Sequence, residues 1–390
     1  MRFSDLLNWA KKHKLHVWLV GSCRALLACT FLFSSLVKAN DPVGFAIKLQ
    51  EYATAIGLGA VSDLLLVGIA MAVAFVEVAL AVSLALGLNR RLTAAVTTVF
   101  MSFMTLWTVW LAIENPVKDC GCFGDVLILT NTQTLLKNVV LLCASCVLNK
   151  WYRLQRRFIP SEYSWLVSLP TTVGLLFFAV WNVVHLPFVD FRPYYVGADL
   201  REAYEKQSNR PRFDVKIIYR RGSQTLQLEA DDPDPDTTWH YVETRRIPIQ
   251  SPMLSGLTTY LDHRMDVAEF SVSDAHGNDM TDEILQDTDY VFLLISPNLR
   301  TADQGCVGNI NILNDDATAQ GASFYCITAS ELLAQNYWTD HTGAEYKYLH
   351  ADRQLLETIV RSNPGLVLMH NGKIIQKWSS WNMPVEWKRP

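Results

Sequence analysis

Five apolar stretches fill most of the first half of this 390-residue chain: Leu15–Val37, Leu64–Leu88, Leu92–Ile113, Leu135–Leu148 and Trp165–Leu186. A helix needs about 20 mainly apolar residues to cross the hydrocarbon core of a bilayer. Four of the stretches reach that length, and Leu135–Leu148 does so once Thr130–Thr134 is added. Lipid offers no partner to backbone N–H and C=O groups, so apolar segments of this length must be helical. The first half is therefore a multi-pass helical membrane bundle, with a four-helix core and a fifth span.

The second half faces a different solvent. Residues 1–189 hold 15 Lys and Arg against 9 Asp and Glu, whereas residues 190–390 hold 19 against 29. The formal net charge of −4 averages these two regimes and contains no basic block, which argues against a nucleic-acid partner. The composition also excludes a disordered chain, a collagen-like repeat and a small disulfide scaffold. The chain divides into an N-terminal segment 1–14, a membrane domain 15–150, a loop and fifth span 151–189, a β-rich segment 190–265 and a folded domain 266–390.

Loop charges orient the bundle. One set of loops carries Arg2, Lys11, Lys12, Lys14, Arg90, Arg91, Lys150, Arg153, Arg156 and Arg157, and the opposite set only Lys38, Lys48 and Lys118. The positive-inside rule places the N-terminus in the cytoplasm, and five spans then place residues 190–390 outside. Trp165, Trp181, Tyr194 and Tyr195 sit where an interfacial aromatic belt would lie. The first span is expected to be retained, because Val37-Lys38-Ala39 is a poor cleavage site and Arg24 interrupts the apolar run.

Two charges lie inside the spans. Arg24 is about 13 Å and Glu77 about 16 Å from the same face at 1.5 Å per residue, so an Arg24–Glu77 ion pair is geometrically possible, the alternative being a protonated Glu77. Such a pair either fixes helix register or serves a ligand or a proton.

Of eight cysteines, Cys120 and Cys122 are the informative ones, within Asp119-Cys120-Gly121-Cys122-Phe123-Gly124-Asp125. Their loop is expected to be exposed on the oxidising side. A one-residue spacer would close a small, strained ring, and strained exposed disulfides are the labile ones. An inert disulfide and a pair of metal ligands are the alternatives; a closed zinc site needs four ligands, and the loop offers two. Asp119 and Asp125 would disfavour a thiolate. Cys143 and Cys146, a C-x-x-C near the other end of the fourth span, read as helix-packing residues, as do Cys23 and Cys29.

The membrane half resembles the DoxX-like family that includes the methylamine-utilisation protein MauE. The matching residues are Arg24, Lys38-Ala39-Asn40-Asp41-Pro42, Phe45, Tyr52, Glu77 and Asp119-Cys120-Gly121-Cys122-Phe123-Gly124. The resemblance implies a four-helix bundle over residues ~15–150 in a bacterial cytoplasmic membrane. It also implies disulfide handling in the cell envelope or redox chemistry coupled to quinones. On that reading Cys120 and Cys122 are the catalytic pair, Arg24 and Glu77 line a cofactor site, and no metal takes part.

Residues 190–390 read as α/β. Phe213–Arg220 and Thr225–Ala230 form a hairpin across Arg221-Gly222-Ser223, and Asp231–Asp236 is a solvated acidic loop. Phe270–Asn278 reads as strand, turn, strand. Strands follow at Tyr290–Ser296, Ala322–Ala329, Gly365–Met369 and Lys373–Trp378, with helices at Asn309–Ala319 and Arg353–Arg361. Residues ~266–385 resemble thioredoxin-like domains of the TlpA sort, with Arg361-Ser362-Asn363-Pro364-Gly365 as the cis-proline loop. The departure is that Pro297–Asp303, after the first central strand, holds no cysteine, while Cys306 lies further on and Cys326 lies in a strand. The final helix of such domains is also curtailed at Pro390.

Three functions are compatible with these residues. The first is a membrane redox component that exchanges disulfides with an outer protein partner, with Phe100, Phe103, Trp107 and Trp110 of the third span either lining a quinone site or serving as ordinary helix packing and lipid contact. The second is a scaffold or assembly factor whose degenerate thioredoxin-like domain holds a client. The third is a transporter, which five unrepeated spans fit poorly.

Overall fold

The computed structural model describes residues 3–59, 61–117, 119–160, 163, 165–208, 214–221, 224–229, 239–247 and 270–389. The expected turn at Gly222-Ser223 and the acidic run Asp231–Asp236 fall outside these residues.

The first half consists of α1 (Phe3–Asn40), α2 (Pro42–Ala55), α3 (Asp63–Leu86), α4 (Arg90–Glu114), α5 (Asn131–Lys150) and α6 (Trp165–His185). All but α2 contain a segment long and apolar enough to span a membrane. α1 packs on α3, α4 on α5, and α6 against α1 and α3. The bundle's outer surface is apolar, with Leu64, Val99, Phe103, Leu106, Leu136 and Phe177 exposed. That is the pattern of a helix bundle solvated by lipid.

α1 breaks at one residue. Pro42 has no N–H to continue the ladder, and a residue before proline avoids the helical region. Asp41 accordingly takes φ −133° and ψ 73°, and its carboxylate accepts the Gly44 N–H at 2.7 Å, starting α2. At the other end of the bundle α3 stops at Gly87, which has φ +73°. A Cβ there would lie 2.4 Å from the Arg156 carbonyl oxygen, so only glycine allows that approach. α5 starts on a capping box formed by Thr130 and Gln133, which adds the first turn that the Leu135–Leu148 run lacked.

In the second half, a three-stranded antiparallel sheet runs in the order β2-β1-β3, from β1 (Asp214–Arg221), β2 (Gln224–Glu229) and β3 (His240–Ile247). α7 (Leu200–Ser208) precedes it. After α8 (Thr281–Gln286) comes a five-stranded sheet, β6-β5-β4-β7-β8, made of β4 (Tyr290–Ser296), β5 (Ser323–Thr328), β6 (Lys347–His350), β7 (Gly365–His370) and β8 (Lys373–Ser379). β4, β5 and β6 are parallel, and β7 and β8 are antiparallel to their neighbours. α9 (Val307–Ala319), α10 (Leu332–Thr342) and α11 (Arg353–Ile359) connect them. β4 is buried on both faces. Val291, Leu293 and Ile295 enter one core with Leu355, Leu356 and Ile359 of α11, and Phe292 and Leu294 enter the other with Ile310, Leu313 and Trp338. The Asn363–Pro364 peptide is cis and leads directly into β7. Strand order, strand directions and the cis-proline are those of a thioredoxin-like fold, as the sequence resemblance implied.

Some expectations are corrected. Phe270–Asn278 makes a turn at Asp274–Gly277 with isolated bridges only. The Asp274 carboxylate accepts the N–H groups of His276 and Asn278, closing the turn on a side chain in place of a ladder. Tyr194, expected in an interfacial belt, is 2 % exposed and packs on Phe270 in the sheet core. Cys143 and Cys146, read as packing residues, are exposed on α5, as Cys29 is on α1. α10 and β6 have no counterpart in the sequence reading. In α10, Leu332, Leu333 and Tyr337 are exposed while Gln335 and Trp338 are buried, which blurs the apolar stripe.

The two halves are joined by ion pairs. Arg361, in the cis-proline loop, donates to Asp41 at 3.0 Å and to Asp125 at 3.3 Å, and to its own chain at the Glu357 carbonyl. Asp190, after α6, holds Arg192 at 2.9 Å and Lys377 of β8 at 2.8 Å. Burial alone would raise the Asp41 carboxyl, but the Arg361 and Arg192 guanidiniums and the Gly44 N–H hold it below its usual range. Removing one partner of a buried ion pair leaves the other charge uncompensated, which costs about 3–5 kcal/mol. Arg361→Ala is therefore expected to destabilise the docking of the sheet domain by that order. The measurement is thermal unfolding, together with protease cleavage of the 187–193 connection, which should become faster.

Candidate functional site

The Cys-Gly-Cys loop closes the end of the bundle that carries the sheet domain. Gly121 has φ +62°, and a Cβ on it would press on the Lys48 side chain at 3.0 Å. The loop is fixed through its main chain. The Tyr52 hydroxyl of α2 donates to the Cys120 carbonyl at 2.5 Å. Ser34 Oγ and Lys38 Nζ of α1 both donate to the Cys122 carbonyl at 3.0 Å. Asn131, at the start of α5, donates to the Val117 carbonyl and to Asn115 at 2.7 Å each. Asp119 is paired with Lys48 at 3.2 Å, and Asp125 with Arg361. Both loop carboxylates thus face a cation, which weakens the expected objection to a thiolate here.

The two thiols lie with their sulfurs 2.7 Å apart. Cys120 is 6 % exposed and Cys122 is half-buried, so the expectation of a freely exposed pair is corrected. Both face a cavity of about 270 Å³ inside the bundle. Its walls include Phe31, Phe45, Phe100, Phe103, Trp107 and Phe123, with Glu77, Lys38 and Lys137 as its charged residues. Of the aromatic residues expected along α4, Phe100, Phe103 and Trp107 line this space, and Trp110 packs behind Trp107 with ring centroids 5.0 Å apart.

The Arg24–Glu77 pair does not form. Glu77 is held by Lys38, with Nζ 3.0 Å and 2.9 Å from its two carboxylate oxygens, and both residues are 4 % exposed. Arg24 instead donates to the carbonyls of Leu84, Ala85 and Arg156 at the opposite end of the bundle. The causes are the register of α1 against α3 and side-chain direction. A helical side chain leans toward its own N-terminus. In the antiparallel pair α1 and α3, Arg24 and Glu77 lean apart, whereas Lys38 and Glu77 lean together. Counting from the ends of the apolar runs set Arg24 and Glu77 level, but Lys38 is 14 residues, about 21 Å, beyond Arg24 on the same helix, so its contact with Glu77 puts Glu77 well beyond Arg24 along the axis. Glu77 therefore joins the cysteine site, and Arg24 fastens α1 to the end of α3 and the Arg156 loop. The sequence marks Lys38 as a loop charge and as part of the family resemblance but gives it no role at the site, and Lys137 carries no signal there.

With this geometry in place, comparisons with known proteins become informative. Residues 16–149 match the family model for methylamine utilisation protein MauE. The MauE match runs from α1 through α5, takes in the whole thiol site, and bears out that part of the sequence resemblance. It covers about a third of the chain and leaves out α6 and the sheet domain. No curated protein matches the chain. Among solved structures, Xanthomonas campestris peroxiredoxin Q is matched with 12 % identity and a TM-score of 0.23, over 29 % of this chain and 82 % of that one.

In the sheet domain, neither remaining cysteine is poised for exchange. Cys306 is buried at the start of α9, where burial and then Asp303 push its thiol up to about 11. Cys326 is fully buried in β5, and burial raises its thiol further. The Lys38–Glu77 pair has its own test. Lys38→Met or Glu77→Gln alone should cost about 3–5 kcal/mol by stranding a buried partner, and Lys38→Met with Glu77→Met should recover a large part of that loss. Thermal unfolding of the three variants in lipid nanodiscs measures the coupling.

Proposed function

We propose that this chain is a membrane-embedded thiol–disulfide redox protein whose two-electron couple is Cys120 and Cys122. The observation that carries this reading is the pair itself: two thiols 2.7 Å apart, in a loop held by α1, α2 and α5, opening on an apolar cavity. In the exchange, a thiolate of the pair attacks one sulfur of a partner disulfide. The partner S–S bond breaks, a mixed disulfide forms, and the second partner sulfur leaves as a thiolate. The remaining cysteine passes its proton to that thiolate and attacks the cysteine sulfur of the mixed disulfide, closing a Cys120–Cys122 disulfide and expelling the other partner sulfur as a thiolate, which takes up the proton that the first attacking thiol gave to solvent. Two electrons pass from the pair to the partner, and the reverse sequence oxidises a partner dithiol.

The cavity fits the quinone that the DoxX-like resemblance implies. It is apolar and aromatic, with Phe100, Phe103 and Trp107 available to hold a flat ring and the cysteine pair on its wall. A bound quinone would supply a lipid-soluble two-electron acceptor for the reverse direction, in which the pair takes its electrons from a partner dithiol. Loop charges support a cytoplasmic N-terminus and a sheet domain outside, in a bacterial cytoplasmic membrane with lipid around the bundle. The family's name suggests methylamine utilisation as a setting, with maturation of an envelope protein as the task. The cleft of about 930 Å³ between α2 and the residues Asn298, Thr301 and Asn363 supports client binding by the sheet domain. The absence of a cysteine from Pro297–Asp303 favours that role over catalysis there, and it is also what favours a purely scaffolding function as the second reading.

Alkylation trapping in cells, followed by mass measurement of the loop peptide, separates the two. Under the redox reading wild type shows both dithiol and disulfide forms, and replacing one cysteine by alanine accumulates a mixed disulfide on the other. A pair that stays in one state with no adduct, together with full function of Cys120→Ser/Cys122→Ser, would leave the scaffold.

A further inference from the structure

We infer that Cys122 is the attacking sulfur, that Cys120 resolves the mixed disulfide, and that Lys137 of α5 is the positioning charge that keeps Cys122 reactive. The inference rests on the redox reading above and assigns roles within it.

The two sulfurs differ in surroundings. Cys120 is packed with Tyr52, Leu111 and Val117, while Cys122 is more open and lines the cavity. The charges facing Cys122 come from several elements. α1 contributes Lys38, and α3 contributes Glu77, which neutralises Lys38 through both carboxylate oxygens. α2 contributes the Tyr52 phenol, whose hydroxyl is engaged by the Cys120 carbonyl. Met104 and Trp107 of α4 bring no charge. In the loop, Asp119 is paired with Lys48 and Asp125 with Arg361.

Lys137 is the cation left over. Its Nζ stands 4.2 Å above the centre of the Phe123 ring, next to Cys122 in the chain, and it has no carboxylate within ion-pair range among the described residues. A half-buried ammonium beside an aromatic face is only partly compensated. An anion at Cys122 completes it. Either sulfur could donate in the 2.7 Å contact; with the Lys137 and Lys38 charges on the Cys122 side the proton belongs on Cys120, and that hydrogen bond and those charges hold the Cys122 thiol down at about 6 against the effect of burial. Giving that hydrogen bond, and then burial, push Cys120 well above the ordinary thiol range. The result is one thiolate and one neighbouring thiol that keeps its proton, which is the division of labour that an attacking and a resolving cysteine need.

The test uses the full chain, reduced, in lipid nanodiscs, with N-ethylmaleimide as the probe and peptide mass to locate the adduct. Cys122 is expected to be modified first, with a rate that levels off above about pH 7. Lys137→Gln should move the midpoint to higher pH and slow the reaction at pH 6, about fivefold if the midpoint rises from about pH 6 to about pH 7. Lys137→Arg should restore it, which a merely structural role for Lys137 does not require. Cys120→Ala, which leaves Lys137 in place, should still give a Cys122 midpoint below the ordinary thiol value of about 8.5. Modification of Cys120 first, or a Cys122 midpoint unmoved by Lys137→Gln, would overturn the assignment. If the pair nonetheless cycles in cells, the redox reading survives without it. A pair that never cycles, with the midpoint change intact, rejects the redox reading and leaves the reactivity of Cys122 standing.

Discussion

The ammonium of Lys38 sits where α1, α3 and the cysteine loop meet, bonded to both oxygens of Glu77 and to the Cys122 carbonyl. In a bundle solvated by lipid neither charge is tolerable alone, so each fixes the other. That pairing sets the register of α1 against α3. It also gives the loop a polar anchor at a place where the surrounding wall is aromatic. Glycine at 121 and the Tyr52 and Asn131 hydrogen bonds then shape the loop around this anchor, with the two thiols turned into the bundle.

The sheet domain adds a second layer to the same end of the bundle. Its cis-proline loop contributes Arg361, which grips Asp41 at the α1–α2 break and Asp125 just past the cysteines. The part of a thioredoxin-like domain that ordinarily meets substrate is thus fastened beside the membrane thiols, in a domain whose own cysteines are buried. In the proposed redox function chemistry and recognition divide between the two halves, which the ion pairs at Asp41, Asp125 and Asp190 hold together.

Much of this was legible in the sequence. The spans followed from segment length, and β4 was read residue for residue because its continuous apolar run is buried on both faces. Cys120 and Cys122 stood out by spacing, and Pro364 by its resemblance to the cis-proline loop. What escaped depends on direction and on distant partners. The partner of Glu77 turned on the register of α1 against α3 and on which way helical side chains lean, neither of which follows from counting residues from the span ends. Burial of Cys120 depended on α2, a helix created by a single proline break. Lys137 acquires meaning only beside Phe123 and Cys122, across the gap between α5 and the loop.

Everything proposed for the membrane half requires Cys120 and Cys122 to act as one two-electron couple. An equilibrium redox titration of the full chain in lipid, read by the mass of the loop peptide after alkylation, tests that directly. The predicted result is a single transition in which both thiols are lost together to an intraloop disulfide. Thiols that disappear independently, or a pair that never closes under oxidising conditions, would contradict it.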